Sequence, residues 1–342
     1  MPATRVLIPT DEAIREAAEV IRAGGLVAFP TETVYGLGAN ALDDAAVRRV
    51  FAAKQRPADD PLIVHLASAA DVGSVAAEAP AGLAELADRF WPGPLTLVLP
   101  RGPAVPKSVT AGGETVAVRV PSHPVARRLI EAAGRPIAAP SANRFARPSP
   151  TTAEHVLEDL DGRIDLVLDD GPTPLGVEST VLDLTTEPPR ILRPGGVTAE
   201  QLRAVLGDRL SASPVPAADH RSPGTAVRHY SPRARLDLFD GPSAGAAVAR
   251  RAAELAGRGQ RVGALAFDGD PLAAALPPGV LVEPLGSEAA LEEAARRLYA
   301  ALRALDASGV EAIVARMPGP GGLGLALRDR LRRAASGRVL EP

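Results

Sequence analysis

Two cations lie at the end of an amphipathic segment, in the motif KQRPADDPLIVHL of residues 54–66. Lys54 and Arg56 precede Pro57, which is expected to end a helix. The apolar run that follows predicts a strand. Cations on a loop beside a strand are suited to binding a polyphosphate. They would serve equally well as favourable charges at a helix C-terminus, and the motif alone leaves both interpretations open.

An arginine and a histidine interrupt two apolar strand patterns. Arg119 lies among valines in TVAVRVPSHP, residues 115–124. A buried guanidinium needs an anion, which is either a carboxylate of the protein or a carboxylate of a ligand. His65 alternates with apolar residues, so its side chain is expected to enter a cleft, although a lone histidine is more often structural.

Short hydrogen-bonding side chains cluster in three further segments. Residues 29–41, FPTETVYGLGANA, carry threonines, a glutamate and two glycines, and we interpret them as a turn between a strand and a helix. Ser141 and Ser149 follow a strand, at the end where α/β sheets bind ligands, with ordinary turn chemistry as the alternative. Ser179 starts a strand in GVESTVLDL, and Arg193 ends one in ILRPGG.

The elements that position these side chains alternate between helix and strand patterns. Thr10 is expected to cap a helix over residues 11–23, because acidic residues occupy its first turn and glycines follow its end. A second helix is predicted over residues 45–53. Apolar runs predict strands at residues 26–29, 61–66, 95–99, 116–120, 137–139, 166–168, 180–184 and 191–192. The sequence therefore predicts a mixed α/β domain over residues 1–205.

The alternation fails after residue 205. Residues 206–235 include the stretch SASPVPAADHRSPGTAVRHYSPRAR, whose Ser, Pro, Ala and Arg content predicts a linker or an extended loop. Within it, residues 222–232 contain an arginine, a histidine and Tyr230, which a passive spacer does not need. A second alternation over residues 236–342 predicts a small Rossmann-like α/β domain.

Composition narrows the functional class. The 342 residues are enough for two domains, and the net charge of -3 does not indicate a nucleic-acid binder. The absence of cysteine excludes disulfides, thiolate nucleophiles, iron–sulfur clusters and cysteine zinc sites. No signal-peptide pattern and no apolar run of membrane-spanning length is seen, so we expect a soluble, cytoplasmic protein.

Taken together and in order, these motifs are specific. Residues 10–205 resemble the YrdC-like threonylcarbamoyl-AMP synthase family through PTETVYGLG, K-x-R-P followed by PLIVHL, WPGPLTLVL, VAVRVPSHP, PSAN with RPSPT, GVESTV and ILRPGG. The SPG…HYSP segment and the C-terminal domain resemble the longer, two-domain form of that synthase. The resemblance implies a twisted-sheet α/β domain followed by a Rossmann-like α/β domain.

The resemblance also implies an activity. The expected enzyme is a nucleotidyltransferase that joins L-threonine, bicarbonate and the AMP part of ATP into threonylcarbamoyl-AMP and releases pyrophosphate. The product would supply threonylcarbamoyladenosine in tRNA through a downstream tRNA threonylcarbamoyl-transferase machinery. Magnesium would be carried with ATP, with no metal site of the protein's own. Direct tRNA binding is expected to be weak or absent, and no membrane partner is expected.

Matching the motifs residue by residue implies two sets of contacts. L-threonine would be bound by Thr33, His65, Arg119, Ala139 and Ser179. ATP would be contacted by Arg56, Asp60, Thr115, Ser141, Ser149, Arg193 and Tyr230. Lys54 and Arg56 would be the catalytic cations, and residues 206–235 would form the linker and active-site lid. Asp60 departs from the family, which usually has asparagine there. An aspartate at this position would accept a hydrogen bond or help to hold a metal ion, but it would repel a phosphate.

Two other functions were weighed. One is a non-catalytic RNA-binding module, which the excess of acidic over basic residues in 1–205 disfavours. The other is a carbamoyl-transfer enzyme of hydrogenase maturation that contains a related domain. The lack of cysteine and the presence of the SPG…HYSP segment count against it.

Overall fold

The structure, a computed structural model, describes residues 3–212 and 229–341. The chain packs as two compact units. The first consists of Met1–Phe145 and Ser149–Ala226, and the second of Ala146–Pro148 and Val227–Pro342. Of the predicted linker and lid, residues 213–228 lie outside the described residues. Within the described ranges, no helix is both long enough and apolar enough to cross a membrane.

The described part of the first unit contains six α-helices. They are α1 (Asp11–Arg22), α2 (Asp44–Lys54), α3 (Leu83–Phe90), α4 (Pro124–Ala133), α5 (Ala153–Leu160) and α6 (Ala199–Leu206). Thr10 caps α1 as predicted, because its Oγ1 accepts a hydrogen bond from the N–H of Ala13 at 3.2 Å. Lys54 is the last residue of α2, so its side chain projects from the C-terminal end of this helix.

Ten strands form one mixed sheet within residues 3–212. In chain order they are β1 (Arg5–Leu7), β2 (Val27–Pro30), β3 (Tyr35–Asn40), β4 (Ile63–His65), β5 (Leu95–Pro100), β6 (Thr115–Arg119), β7 (Ile137–Ala138), β8 (Leu166–Leu168), β9 (Thr180–Asp183) and β10 (Arg190–Arg193). Their order across the sheet is β1-β8-β2-β3-β7-β4-β6-β5-β9-β10. Helices α1 and α4 pack in one apolar cluster, while α2, α3, α5 and α6 contribute to a larger one.

The segment that we interpreted as a turn is instead a hairpin with a buried second strand. β3 pairs antiparallel with β2, and the turn between them is only residues 31–34. β3 lacks the alternation of a half-exposed strand because it is buried over almost its whole length. Gly38 fits there because a Cβ at this position would lie 2.7 Å from the Phe29 ring. The turn interpretation was therefore wrong for residues 35–40.

The second unit contains a parallel sheet. Its strands are β11 (Arg235–Phe239), β12 (Val262–Ala266), β13 (Leu281–Pro284) and β14 (Ala312–Arg316), in the order β11-β14-β12-β13. Its helices are α7 (Ala244–Gly257), α8 (Pro271–Ala275), α9 (Leu291–Ala307) and α10 (Gly324–Ala334). Parallel strands joined by helical crossovers form the Rossmann-like arrangement that the sequence predicts. The predicted fold class is thus confirmed for both units.

Candidate functional site

Neighbouring strands place two of the predicted threonine-binding side chains together. β4 and β6 run parallel, and His65 is in register with Arg119 as the last residue of each strand. Residues in register on adjacent strands present their side chains on the same face of the sheet. Both side chains are buried, so the histidine and the arginine share one enclosed environment.

The guanidinium of Arg119 is fixed by two hydrogen bonds. Its Nε donates to the carbonyl of Gly93 at 3.1 Å, and its Nη1 donates to Oγ1 of Thr33 at 3.0 Å. Thr31 uses its only hydroxyl proton on the carbonyl of Val34 at 2.7 Å, so Thr33 must be the donor in the 2.7 Å contact between the two hydroxyls. Thr33 therefore accepts from Arg119 and donates to Thr31, which holds both predicted site residues in place.

Arg119 also meets a protein carboxylate. Its Nη2 lies 2.5 Å from Oε1 of Glu32, and the two side chains are only 3% and 11% exposed. Burial raises the pKa of Glu32, but the opposing effects, led by the charge of Arg119, are stronger and leave this pKa below its usual value. Glu32 is therefore ionised at neutral pH. It is the protein anion that the sequence left open as a partner for Arg119.

His65 is neutral at physiological pH. Burial, and then the charge of Arg119, lower its pKa to about 3, although Glu32 acts in the opposite direction. Among the described residues, its buried Nδ1 has no hydrogen-bond partner. The ring of Phe29 packs edge-on at 6.4 Å between centroids. A neutral ring with a free nitrogen is suited to hydrogen-bonding a polar group of a ligand.

Ser179 connects the two predicted ligand sets. It immediately precedes β9, and its Oγ lies 2.8 Å from Oγ1 of Thr96 on β5. The Nη2 of Arg193 donates to this Oγ at 3.1 Å and to the carbonyl of Ser179 at 2.9 Å. Arg193, predicted for ATP, is therefore held directly by Ser179, predicted for threonine.

Two small residues complete this region. Ala139 is buried and donates from its N–H to the carbonyl of Ile63 at 2.9 Å, so it lies against the start of β4. Ser149 is also buried, and its Oγ donates to Oε1 of Glu178 at 2.6 Å. A hydroxyl bound in this way keeps its lone pairs available to a donor from a ligand.

Lys54 is enclosed rather than open to solvent. Its Nζ donates to the carbonyls of Ser141 and Asn143 at 2.5 and 2.6 Å, and its own carbonyl accepts from the N–H of Phe145 at 2.9 Å. Burial, and then the charge of Arg56, lower the pKa of Lys54 well below its usual value. The lysine thus fastens the loop that carries Ser141. Its predicted direct contact with a phosphate stays a prediction.

Arg56 and Asp60 form a buried pair close to the other cations. Nη2 of Arg56 lies 2.9 Å from Oδ1 of Asp60, and Nε donates to the carbonyl of Asp60 at 3.0 Å. Burial raises the pKa of Asp60, although Arg56, Lys54 and Arg193 all act to lower it. The aspartate therefore lies within the field of three cations, where its charge is partly compensated. Thr115, also predicted for ATP, is the first residue of β6 and lies opposite Pro100 on β5.

Comparisons with known proteins account for almost the whole chain. Residues 19–195 match the family model described as "Telomere recombination", and residues 197–336 match "Threonylcarbamoyl-AMP synthase, C-terminal domain". The threonylcarbamoyl-AMP synthase of Pyrococcus abyssi is 47% identical over 340 residues, with 96% of this chain and 95% of that protein covered. The chain belongs to the threonylcarbamoyl-AMP synthase family.

Further relatives agree with this assignment. The threonylcarbamoyl-AMP synthase of Bacillus subtilis is 45% identical over 340 residues, with 98% and 97% of the two chains covered. The crystal structure of P. abyssi Sua5 complexed with L-threonine superposes with a TM-score of 0.90 at 46% identity, over 99% of this chain and 98% of that one. The protein is thus an enzyme of the threonylcarbamoyl-AMP synthase type, as the motifs predicted, and not a non-catalytic RNA-binding module.

Tyr230, predicted to contact ATP, belongs to the second unit. Its backbone has φ of 60°, and its ring packs on Tyr299 at 5.4 Å and beneath the guanidinium of Arg330 at 5.2 Å. His229 contacts the same ring at 4.0 Å. These contacts hold the Tyr230 ring in place within the second unit.

Three side chains next to the predicted site were not assigned from the sequence. They are Glu32, which pairs with Arg119; Thr96, which contacts Ser179; and Glu178, which accepts from Ser149. Glu32 and Glu178 each stand within a motif that was already singled out, as the only carboxylate of PTETVYGLG and of GVESTV. That signal could have marked them, whereas Thr96 has no local signal because strand pairing alone brings it to Ser179.

Proposed function

We propose that this threonylcarbamoyl-AMP synthase converts ATP, L-threonine and bicarbonate to threonylcarbamoyl-AMP and pyrophosphate, in the cytoplasm, for threonylcarbamoyladenosine formation in tRNA. The observation that carries the proposal is the enclosed group of Arg119, Thr33 and neutral His65 inside the matched catalytic domain. A fixed guanidinium suits a carboxylate, and neutral partners suit a hydroxyl.

In the proposed complex, Arg119 binds the carboxylate of L-threonine. It keeps unused N–H groups beside those that bond Gly93 and Thr33. His65 accepts a hydrogen bond from the threonine hydroxyl at Nδ1, which has no partner among the described residues. Ala139 and Ser179 complete the pocket, the first as a small wall and the second as a link to the nucleotide side.

On the nucleotide side, a group of cations faces the proposed ATP position. Arg56 and Arg193 supply positive charge, while Lys54 holds the backbone at Ser141. Ser149 and Thr115 are the proposed hydroxyl contacts to ATP. We propose that Asp60 orients Arg56 rather than facing a phosphate, because its Oδ1 already forms a 2.9 Å ion pair with Arg56 and its backbone carbonyl accepts from the same guanidinium.

The reaction requires positioning more than covalent participation of the protein. The amine of threonine and bicarbonate, or dissolved carbon dioxide, give a carbamate. A carbamate oxygen then attacks the α-phosphorus of ATP, and pyrophosphate leaves. Cations fixed in advance stabilise the charge that develops on the phosphate oxygens. A carbamate is short-lived in water, so exclusion of solvent protects it.

Magnesium enters the proposal as part of the substrate, bound to the ATP phosphates. Within the described residues, no group of three or more His, Cys, Asp or Glu side chains is placed to hold a metal ion. Hard-oxygen coordination by ATP phosphates and water is the usual mode for this cation. The ion would add positive charge at the phosphates, where Arg56 and Arg193 act on the nucleotide side.

We also propose that residues 206–235 act as linker and lid, that residues 1–205 carry the chemistry and that residues 236–342 anchor the lid. Tyr230 would contact the nucleotide. This contact is supported by the packing of the Tyr230 ring against Tyr299 and Arg330, within the part of the predicted lid that the structure describes. Limited proteolysis tests the lid, since cleavage within residues 222–232 should be slower when ATP and threonine are both present. Ligand-independent cleavage would reduce the segment to a connector.

The direct test is an assay of the purified protein with ATP, L-threonine, bicarbonate and magnesium. Mass spectrometry should detect threonylcarbamoyl-AMP, and pyrophosphate should appear in equal amount. Reactions without threonine or without bicarbonate are the controls. Absence of the product from the complete mixture, with folded protein, would refute the proposal.

We further propose that the product passes to a separate tRNA threonylcarbamoyl-transferase, with little direct tRNA binding by this enzyme.

A further inference from the structure

Glu32 has properties that a purely structural carboxylate does not need. It is buried and approaches Arg119 at 2.5 Å, and the N–H donors close to it, those of Arg119, of Glu32 itself and of Ser122, are not aligned for full hydrogen bonds. A buried carboxylate is costly unless its oxygens are hydrogen-bonded. Arg119 does not depend on it for placement, because Gly93 and Thr33 already hold the guanidinium.

The charges of Arg119 and Glu32 are complementary to those of an α-amino acid. One fixed cation, Arg119, and one fixed anion, Glu32, lie in contact beside neutral His65. An amino acid carries its carboxylate and its ammonium on the same carbon atom. If the carboxylate is bound by Arg119, the ammonium must therefore lie within a few bond lengths of that guanidinium, which is where the Glu32 carboxylate is.

We propose that Glu32 binds the ammonium group of the amino-acid substrate and accepts the first proton that this group loses. This inference rests on the proposed function, because it assumes that Arg119 holds the substrate carboxylate. An ammonium brings three N–H donors to an acceptor that has oxygens to spare. Exchange of the Arg119 contact for the ammonium would satisfy both carboxylate oxygens. Once Arg119 is paired with the substrate carboxylate, the charge that chiefly lowers the pKa of Glu32 is neutralised, and burial, which raises this pKa, makes Glu32 a better proton acceptor.

The proton balance gives this residue a chemical task. Carbamate formation from the ammonium form and bicarbonate yields carbamate, one water and one proton, so the nitrogen gives up two protons. In the first step, an N–H bond breaks, the electron pair stays on nitrogen and the proton moves to a Glu32 oxygen. The free amine can then attack the carbonyl carbon, which an ammonium cannot do. The second proton leaves the nitrogen when the new N–C bond has formed. One of the two protons becomes part of the water that is produced, and the other is released.

The neighbouring groups are consistent with this assignment. His65 on β4 is neutral and cannot accept a proton near neutral pH, because burial and Arg119 lower its pKa to about 3. Arg119 on β6 is a cation. His123, the N-cap of α4, is occupied by the N–H of Val125 and lies 3.7 Å from Asp170, whose side chain is 46% exposed. Glu32 is thus the buried carboxylate that faces Arg119.

Substitution of Glu32 by glutamine, which has the same shape without the charge, tests the assignment by calorimetry at pH 7. The Glu32→Gln enzyme should bind L-threonine at least tenfold more weakly than the wild type. It should bind 3-hydroxybutyrate, which keeps the carboxylate and hydroxyl but lacks the amine, within threefold of the wild type. Equal weakening of both ligands would show a structural role and overturn the proposal, as would unchanged threonine binding. If Glu32→Gln does not fold, Glu32→Ala, which also removes the charge, serves in the same comparison.

The pH profile tests the proton transfer separately. At saturating threonine, the residual rate of Glu32→Gln should rise with pH between 7 and 9 by up to tenfold per unit, because only the free amine reacts without an acceptor. The wild-type rate should rise less steeply. Parallel profiles would overturn the acceptor role. A wild-type enzyme that binds threonine but forms no threonylcarbamoyl-AMP would refute the proposed function instead, while the calorimetric comparison would still decide the role of Glu32.

Discussion

The carbonyl of Glu178 closes the space beside Gly195: a Cβ at residue 195 would lie 2.3 Å from that oxygen. The same peptide segment carries Ser179, whose carbonyl and hydroxyl bind Arg193, and the Glu178 side chain accepts from Ser149. The lack of a side chain at residue 195 therefore allows a close backbone approach that supports three predicted site residues.

Gly195→Ala should displace this segment and impair ATP use more than threonine binding. Because a backbone carbonyl rather than a flexible side chain is in the way, we expect a loss of about 1–3 kcal/mol in the free energy of unfolding. Denaturant unfolding and the KM for ATP measure the two effects. Gly73→Ala is the matched control, since nothing lies within 4 Å of a Cβ there. If Gly195→Ala and Gly73→Ala had the same free energy of unfolding and the same KM for ATP, the proposed packing constraint would be contradicted.

Arg119→Lys should fold but bind L-threonine at least tenfold more weakly. A lysine cannot donate simultaneously to Gly93, to Thr33 and to a carboxylate in the planar geometry of a guanidinium. Calorimetry gives the affinity and thermal unfolding gives the stability. Arg127→Lys, at a surface ion pair of 3.8 Å with Glu131, is the control and should change neither quantity. Retained threonine affinity with a large loss of stability would mean that Arg119 has only a structural role.

The buried neutral His65 should make stability depend on pH. Its folded pKa of about 3 lies below the ordinary value of 6.5, so between these limits the unfolded chain binds a proton that the folded chain does not. The free energy of unfolding should therefore rise with pH across this window, by up to about 1.4 kcal/mol per pH unit from this residue. Denaturant unfolding at pH 5 and pH 7 should show a smaller difference in His65→Gln. An unchanged difference would mean that other groups carry the dependence.

Lys54→Met should destabilise the first unit and weaken ATP binding together. Methionine has nearly the same length but leaves the carbonyls of Ser141 and Asn143 without their donor. Two buried acceptors that lose a partner cost about 1–3 kcal/mol each, offset in part by the easier burial of an apolar side chain. Lys107→Met is the matched control, because that side chain is 67% exposed. Unaltered stability with abolished ATP turnover would favour direct contact between Lys54 and phosphate.

The elements with strong local signals were predictable from the sequence. Thr10 and the acidic first turn gave the start of α1, and the predicted end differs from the observed one by a single residue. β3 was missed because its Gly38 is required by the side chains of Phe29 and Ile137, which come close only in the folded sheet. Local patterns carry no information on such long-range contacts.

The candidate site was likewise predictable only where the signal is local. Arg119 was recognisable as a buried cation in need of an anion, but the sequence could not say whether Glu32 or a ligand supplies it. Lys54 was recognisable as unusual because it and Lys107 are the only two lysines among the 38 basic residues of the sequence. Its two carbonyl partners could not be foreseen, because backbone acceptors have no sequence signature. Residue chemistry was thus predictable where side chains act alone, and not where the fold supplies the partner.

Substrate selection should follow from the polar groups around Arg119. Valine has the shape of threonine but would leave Nδ1 of His65 without the hydroxyl that we propose it binds. A site built to hydrogen-bond a hydroxyl discriminates strongly against an analogue that lacks it, and we expect kcat/KM for valine to be lower by about a hundredfold or more. Serine keeps the hydroxyl and loses one methyl contact, so it should be used about tenfold less well. Competition experiments with mass spectrometry of the three carbamoyl-AMP products measure these ratios. His65→Phe removes the acceptor and should bring valine and threonine closer together, whereas equal use of both by the wild type would rule out hydroxyl recognition at this site.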